Sequence, residues 1–460
     1  MARGKVRAMR SRRWLALGLV SVGILGATTA RSQDSNYWTS SYGTRAQLLG
    51  GVVTGSPGDI SSTYYNPGAL ALAPSSEFLL AGNAFQYQRV SVANGSGPKR
   101  DLVTSTIGTV PSLIAGEVPI LKHDRLAYSF LTRQNVDLDM EKRLTVGAES
   151  ASPLPNATFA AFELLYHQRV SETWYGATWA HQLSPRFGIG ITPSVAVRSQ
   201  RTTASLTAMG ENAGGQQAML QHSRDFEYLH WRLLAKLGAQ GYRDSLTYGV
   251  TLTTPGLGLF GGGAFRQSTS LTDQSGTVGN VIGASYQEDL KATYKSPVGV
   301  GAGASYGWTA LRIHAAAEWW ASISRYNILE GAPFVIHVPS GDSTASATIS
   351  EELRSVFNYG VGLEYKFSPG LSGYASFHTD QSSRPSGSPV SASVTAYDLS
   401  HLSGGVTFKA WRSDFAVGLE GAFGSRPIQA FARRPDAIPP GELETHAMLV
   451  TGTLGWKISF

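Results

Sequence analysis

The chain has 460 residues, no cysteine, 52 glycines, 10% aromatic residues and only 15% charged ones. Without cysteine there is neither a disulfide framework nor a lipidated Cys, and low charge with abundant Gly and aromatics fits a wall with lipid on one side. The formal charge of +6 is concentrated at the start, where Arg3, Lys5, Arg7, Arg10, Arg12 and Arg13 stand without an acid. Beyond residue 30 there are 32 basic and 32 acidic residues, a balance that excludes a nucleic-acid footprint.

Those first cations precede an apolar run from Trp14 to Gly26 and then Ala27-Thr28-Thr29-Ala30. This is the charged, apolar and small-residue sequence of a secretory signal, predicted over residues 1–30; an uncleaved anchor is the alternative. No later stretch offers about 20 uninterrupted apolar residues for a membrane helix. An exported, greasy chain without helical spans can satisfy its backbone in lipid only as a closed barrel.

Residues 31–77 are rich in Gly and Ser and contain Gly50-Gly51, Asp59 and Tyr64-Tyr65-Asn66-Pro67-Gly68-Ala69-Leu70. Pro67 holds Asn66 extended, which leaves its amide free to bond neighbouring backbone, and Gly68 lets the chain turn. A module this small cannot build its own core and needs a host. The lumen of a barrel formed by residues 78–460 is the host expected.

Strands are predicted at 78–90, 104–117, 126–134, 171–182, 187–201, 224–239, 245–255, 286–306, 310–323, 355–367, 371–380, 401–409, 413–423 and 446–460. The connections after the odd-numbered ones are long, at 91–103, 135–170, 202–223, 256–285, 324–354, 381–400 and 424–445. The intervening ones are tight turns, such as Ser368-Pro369-Gly370. This alternation separates the two rims of an outer-membrane barrel and places both termini on the short-turn side. The stretch 157–168 reads as loop, short strand or helix. Pro111 and Gly116 predict irregular pairing in the second strand. The last strand is the clearest: Met448, Val450, Gly452, Leu454, Trp456, Ile458 and Phe460 share one face, and mostly small or polar residues the other. It must pair with the first strand to close the wall.

Two motifs suggest chemistry and fail on context. Gly303-Ala304-Ser305-Tyr306-Gly307 matches a nucleophile elbow, and Gly256-Leu257-Gly258-Leu259-Phe260-Gly261 a dinucleotide loop, but neither opens a helix. The ten His residues form no metal-ligand pair, so no metal or cofactor is expected. Arg312, His314, Glu318, Glu364 and Glu420 fall on the inward face, as balanced lumen charges or as groups holding the N-terminal module. Ile328 to Val338 is an apolar segment within a long connection; it is either the core of that connection, a strand above the membrane, or a landing site for a greasy ligand on Phe334, Val335 and Ile336.

The Asn-Pro stretch, with Gly50-Gly51 and Asp59, resembles the start of the FadL-type family of outer-membrane transporters for fatty acids and aromatic hydrocarbons. The family usually reads Asn-Pro-Ala-Gly-Leu or Asn-Pro-Ala-Ala-Leu; here Gly68 stands where the first Ala is expected. Further echoes are Tyr294-Lys295-Ser296-Pro297 and Glu318-Trp319-Trp320-Ala321-Ser322. The resemblance implies an all-β protein, a 14-stranded antiparallel transmembrane barrel with an N-terminal hatch in its lumen. It also implies sideways release of an apolar ligand past an inward kink in the third strand, although 126–134 holds neither Gly nor Pro.

The reading that results is a monomeric, non-enzymatic passive transporter in the bacterial outer membrane, with lipid around it and a hydrophobic small molecule as ligand. Asp59, Asn66, Pro67 and Gly68 are its expected hatch and gating residues. A secretion-associated barrel that binds a protein partner is the alternative, and a barrel hydrolase acting on lipids a third.

Overall fold

A computed structural model describes residues 35–93, 101–118, 124–147, 157–276, 279–385, 396–429 and 442–460. The predicted signal and residues 31–34 of the predicted module lie outside them. Three short helices come first: α1 (Thr44–Leu48), α2 (Ser62–Tyr65) and α3 (Pro67–Leu70). Strands follow as β1 (Glu77–Val92), β2 (Leu102–Val118), β3 (Asp124–Gly147), β4 (Ala157–Ser184), β5 (Phe187–Asn212), β6 (Gln217–Arg243) and β7 (Leu246–Thr253). Then come β8 (Leu257–Asp273), β9 (Val281–Lys291), β10 (Gly299–Gly307), β11 (Leu311–Trp320), β12 (Ile323–Glu330), β13 (Phe334–Val338) and β14 (Gly341–Ala345). The chain finishes with β15 (Thr348–Leu353), β16 (Val356–Ser368), β17 (Leu371–Asp380), β18 (Asp398–Ala410), β19 (Ser413–Gln429) and β20 (Glu442–Ser459).

Fourteen of these close into an antiparallel barrel. The ring runs from β1 through β7 in order, then β10, β11 and β16 through β20. It shuts where β20 returns to β1, with Leu80 opposite Trp456 and Tyr87 opposite Val450. The outward face is apolar. In β16 Phe357, Tyr359, Val361, Leu363, Tyr365 and Phe367 are exposed, while Asn358 and Gly360 behind them are buried. A soluble sheet would bury that row, whereas the wall of a transmembrane barrel turns it towards lipid.

Each predicted strand corresponds to part of this wall, but four predicted loops do not survive. Strands β3 to β6 run 24 to 28 residues, whereas a membrane crossing needs about 9–11. Their outer halves rise above the apolar belt and occupy 135–147, 157–170 and 202–223. The stretches 256–285 and 324–354 likewise hold β8, β9 and β12 to β15. The physical reason is an inversion of pattern. Along β5 the outward row is Ile189, Ile191, Pro193, Val195 and Val197, and then turns polar at Ser199 and Arg201. Above that level the apolar residues point inwards, as Val136, Leu138 and Met140 do, and the charged Asp139 and Glu141 meet water. The predicted eighth strand, 286–306, is broken: β9 stops at Lys291 and β10 starts at Gly299, because Tyr294 to Pro297 turn into the lumen.

Candidate transport path

The N-terminal module, residues 35–76, is packed against the inner wall on all sides. Helix α1 lies on β17 to β20, and α3 lies on β4, β5 and β6. Close approach is possible because the wall is flattened with glycine where the module touches it. A Cβ on Gly190 would meet the Pro67 carbonyl carbon at 2.6 Å, and one on Gly303 the Gly55 nitrogen at 2.7 Å. These contacts, not a core of its own, hold so short a segment in shape.

Polar groups pin it at separate points. Asn66 is extended at φ −155° and ψ 98°, and Pro67 opens α3. The Asn66 Nδ2 group donates to Thr54 O and to Ala239 O of β6, both at 3.0 Å, and its Oδ1 accepts from Gly68 N at 3.1 Å. Removing that amide would leave two buried carbonyls unsatisfied, at about 1–3 kcal/mol. Asp59 faces the module itself, accepting from Ser61 N at 2.9 Å and Thr44 Oγ1 at 3.2 Å. Arg45 donates to Glu364 at 2.6 and 3.0 Å and to Ser56 O at 2.6 Å. His314 bridges the same pair, 3.1 Å from Ser56 Oγ and 3.3 Å from Glu364.

The other predicted residues are dispersed. Arg312 is half-buried and lies 3.5 Å from Ser305 Oγ, Glu318 accepts from Trp320 Nε1 at 3.4 Å, and Glu420 holds His401 and Ser403, both at 2.9 Å. Phe334, Val335 and Ile336 form β13, a strand above the membrane and not an irregular loop. Phe334 packs on the cluster of Phe226, Phe265 and Leu329, Ile336 stands opposite Gly283 of β9, and Val335 is exposed.

Three features were missed by sequence reasoning. The first is a weak seam. Strands β2 and β3 pair only from Leu113↔Leu131 to Val118↔Leu126, and no rung joins them above that among the described residues. A bulge between Thr132 and Gln134 turns Arg133 inwards at the top of this ladder. The third strand is thus irregular at this level although 126–134 holds neither Gly nor Pro. The bared edge is met from inside: Tyr42 Oη donates to Thr132 O at 3.1 Å and Gln47 Nε2 to Ser112 Oγ at 3.0 Å.

The second feature lies behind that seam. Tyr42, Tyr64, Tyr65 and Trp174 form one aromatic group with ring centroids 4.5 to 6.3 Å apart, joined to Leu113, Leu131 and Leu234. The third is a charged chamber above it. Glu172 takes Arg232 at 2.5 Å and Arg198 at 3.2 Å, and both guanidinium groups face the Tyr294 ring, at 4.9 and 4.2 Å. Arg133 and Lys236 are buried nearby, the latter 4.3 Å from the Tyr64 ring. Alternation along β4, β5 and β6 places Glu172, Arg198, Arg232 and Lys236 on the inward face, a signal that was available in the sequence.

The chamber contains a cavity of about 40 Å³, too small for an organic ligand. Below the module a larger cavity of about 490 Å³ is lined by Arg45, Asp59, Glu77, Arg312, Glu364 and Lys366. Among the described residues the cavity above the module is thus small and the one below it polar.

A closed antiparallel barrel with an outward apolar belt and tight turns on one rim is the architecture of bacterial outer-membrane proteins. Its particular form is the FadL-type fold. The chain matches the toluene transporter TodX of P. putida at a TM-score of 0.57 with 12% identity, covering 91% of this chain and 99% of that one. It matches a Pseudomonas aeruginosa FadL homologue at 0.53 and 12% over 92% and 100% of the two chains. The Ralstonia pickettii toluene transporter TbuX matches at 0.52 and 10% over 91% and 98%. No protein-family model and no curated protein matches the sequence.

Proposed function

We propose that the protein is a passive channel of the bacterial outer membrane for hydrophobic small molecules, with residues 35–76 as its plug. The observation that carries the reading is the aromatic core of Tyr42, Tyr64, Tyr65 and Trp174, which links the lumen to the β2–β3 seam. A greasy molecule that crossed the lower vestibule would meet six charged side chains, losing about 0.8 kcal/mol for each CH₂ exposed to water. Leaving sideways keeps it on apolar surface all the way to lipid. The closed chamber requires the plug or its side chains to move first.

The chamber supports an amphiphile with an anionic head over a neutral hydrocarbon. Cations outnumber carboxylates there, and Arg232 Nη1 is buried without a hydrogen-bond partner. A carboxylate oxygen would accept a charge-assisted hydrogen bond from it.

The test places Ser112→Cys and Thr132→Cys at the first positions above the last rung of the seam, in a chain that has no other cysteine. Oxidised, the folded barrel is expected to lose uptake of a long-chain fatty acid into liposomes; reduced, it regains it. Equal uptake in the cross-linked state overturns the sideways route. Arg232→Met is expected to lower fatty-acid uptake several-fold and to leave toluene uptake unchanged; an equal loss of both removes the preference for an acidic head.

A further inference from the structure

We propose that His378 and His401 form an acid-sensitive latch, which holds the start of the N-terminal module against β17 and β18 at neutral pH and frees it on acidification. The latch rests on the reading of residues 35–76 as a plug; its test requires no transport.

The two imidazoles are completely buried and stacked, with centroids 4.3 Å apart and planes 18° from parallel. His378 also stacks on Trp38, at 5.3 Å, and its Nε2 lies 3.3 Å from the Trp38 carbonyl oxygen. That contact requires the ring proton on Nε2 and leaves Nδ1 bare. Nδ1 has no partner, and Gly50 covers it so closely that a Cβ there would come within 2.7 Å. Next to it, Asp380 accepts from Trp38 N at 2.9 Å and from Thr39 Oγ1 at 2.5 Å. Thus Trp38 and Thr39 are tied to one buried carboxylate and one buried imidazole.

The charged groups that face the pair are few. Glu420 of β19 is 2.9 Å from His401 Nδ1, and Asp380 of β17 is 4.0 Å from His401 Nε2. Arg133 of β3 acts on Asp380 from across the lumen. Strand β16 brings Gly360 opposite His378, and the module brings Trp38, Thr39 and Gly50, all uncharged. His401 therefore has two carboxylates to balance a proton and His378 has none.

A proton added to His378 must sit on Nδ1, where the new N–H meets the Gly50 backbone and the uncharged Ser376 hydroxyl and no carboxylate. It also places a cation 4.3 Å from a ring already held between two acids. Neither cost can be relieved while the stack stays buried, because unpaired charge in a dry site is strongly disfavoured. Protonation of Asp380 weakens the same attachment by removing the charge that Trp38 N–H and Thr39 O–H bond to. Both events favour withdrawal of Trp38 and the opening of the module's first turn. His is the side chain whose titration lies in the relevant range.

The experiment attaches a nitroxide to Ser40→Cys in the full-length protein in bilayers and records its spectrum at about pH 7.5 and about pH 4.5. An immobile label that becomes mobile in acid and immobile again on return is the expected result. His378→Phe keeps a ring against Trp38 but has no basic nitrogen, so only Asp380 is left to titrate and its label should be released at lower pH than the parent's. Thr39→Val removes one bond to Asp380 and should shift the release to higher pH. A label that is immobile throughout in the unsubstituted background, the same transition in His378→Phe, or no shift in Thr39→Val each overturn the latch. Loss of the folded electrophoretic mobility at the lower pH also overturns it, since the wall is to stay intact. An immobile label in a barrel that still transports fatty acid would reject the latch and leave the channel reading in place.

Discussion

The wall has two unlike seams, and their difference shows how a barrel can be closed by its backbone ladder in one place and with help from inside in another. Where β20 meets β1 the ladder runs from Glu77↔Ser459 to Val92↔Thr445, with one shift between Asn83 and Phe85. Where β2 meets β3 it stops at Leu113↔Leu131. In lipid an unpaired strand edge costs several kcal/mol per group, so the second seam needs partners from elsewhere. Tyr42 of the N-terminal module supplies one to the Thr132 carbonyl, and Gln47 bonds the Ser112 hydroxyl beside it. One seam is closed by the wall alone, the other by the wall together with what lies inside it.

The largest expected contrast comes from deleting residues 31–76, which leaves Glu77 of β1 in place. The β1–β20 seam should hold and the barrel should still show heat-modifiable mobility, while single-channel conductance rises and liposomes swell in sugar solutions. A folded deletion no leakier than the parent would mean the module does not plug, and would favour the reading as a barrel for a protein partner. Next in size is Leu454→Arg on the lipid face of the closing seam, between Gly82 and Val417. It should cost about 2–4 kcal/mol if near the midplane, measured by urea unfolding in bilayers. A neutral result would move that rung out of the membrane.

Asn66→Ala acts on the module and not on the wall, so it should cost about 1–3 kcal/mol in module attachment, read as faster proteolysis of the N-terminal segment. The wall's own unfolding should be unchanged; a parallel fall in both would show that module and wall unfold as one unit. Smallest is Tyr42→Phe, which leaves Thr132 O at the open seam without its donor, for about 1 kcal/mol. Conductance noise should increase in this variant alone, and silence would mean that water already satisfies that carbonyl.

Much of the architecture was legible because strands announce themselves locally. Tyr359, Val361, Leu363, Tyr365 and Phe367 alternate with Gly360, Gly362, Glu364 and Lys366, and the turn at Ser368-Pro369-Gly370 ends the run. Above the belt the alternation continues with its sense inverted, as Val136, Leu138 and Met140 against Asp139 and Glu141 show. Those halves therefore carry the polar outward row of a loop and not the apolar row of a membrane strand. Asn66-Pro67 was legible as a turn, since Pro restricts its neighbour wherever it stands. That its amide would bond Ala239, 173 residues away, was not.

The sequence by itself determined the class of protein, the number of wall strands and the rim that carries the tight turns, because a period of two and a turn are properties of neighbours along the chain. Only the tertiary structure decided where the backbone ladder stops, which aromatics pack behind it and which imidazoles share a burial site. Trp38 meets Asp380 across 342 residues, and Tyr42 meets Thr132 across 90. Such contacts depend on register and closure, which are set by the whole ring at once.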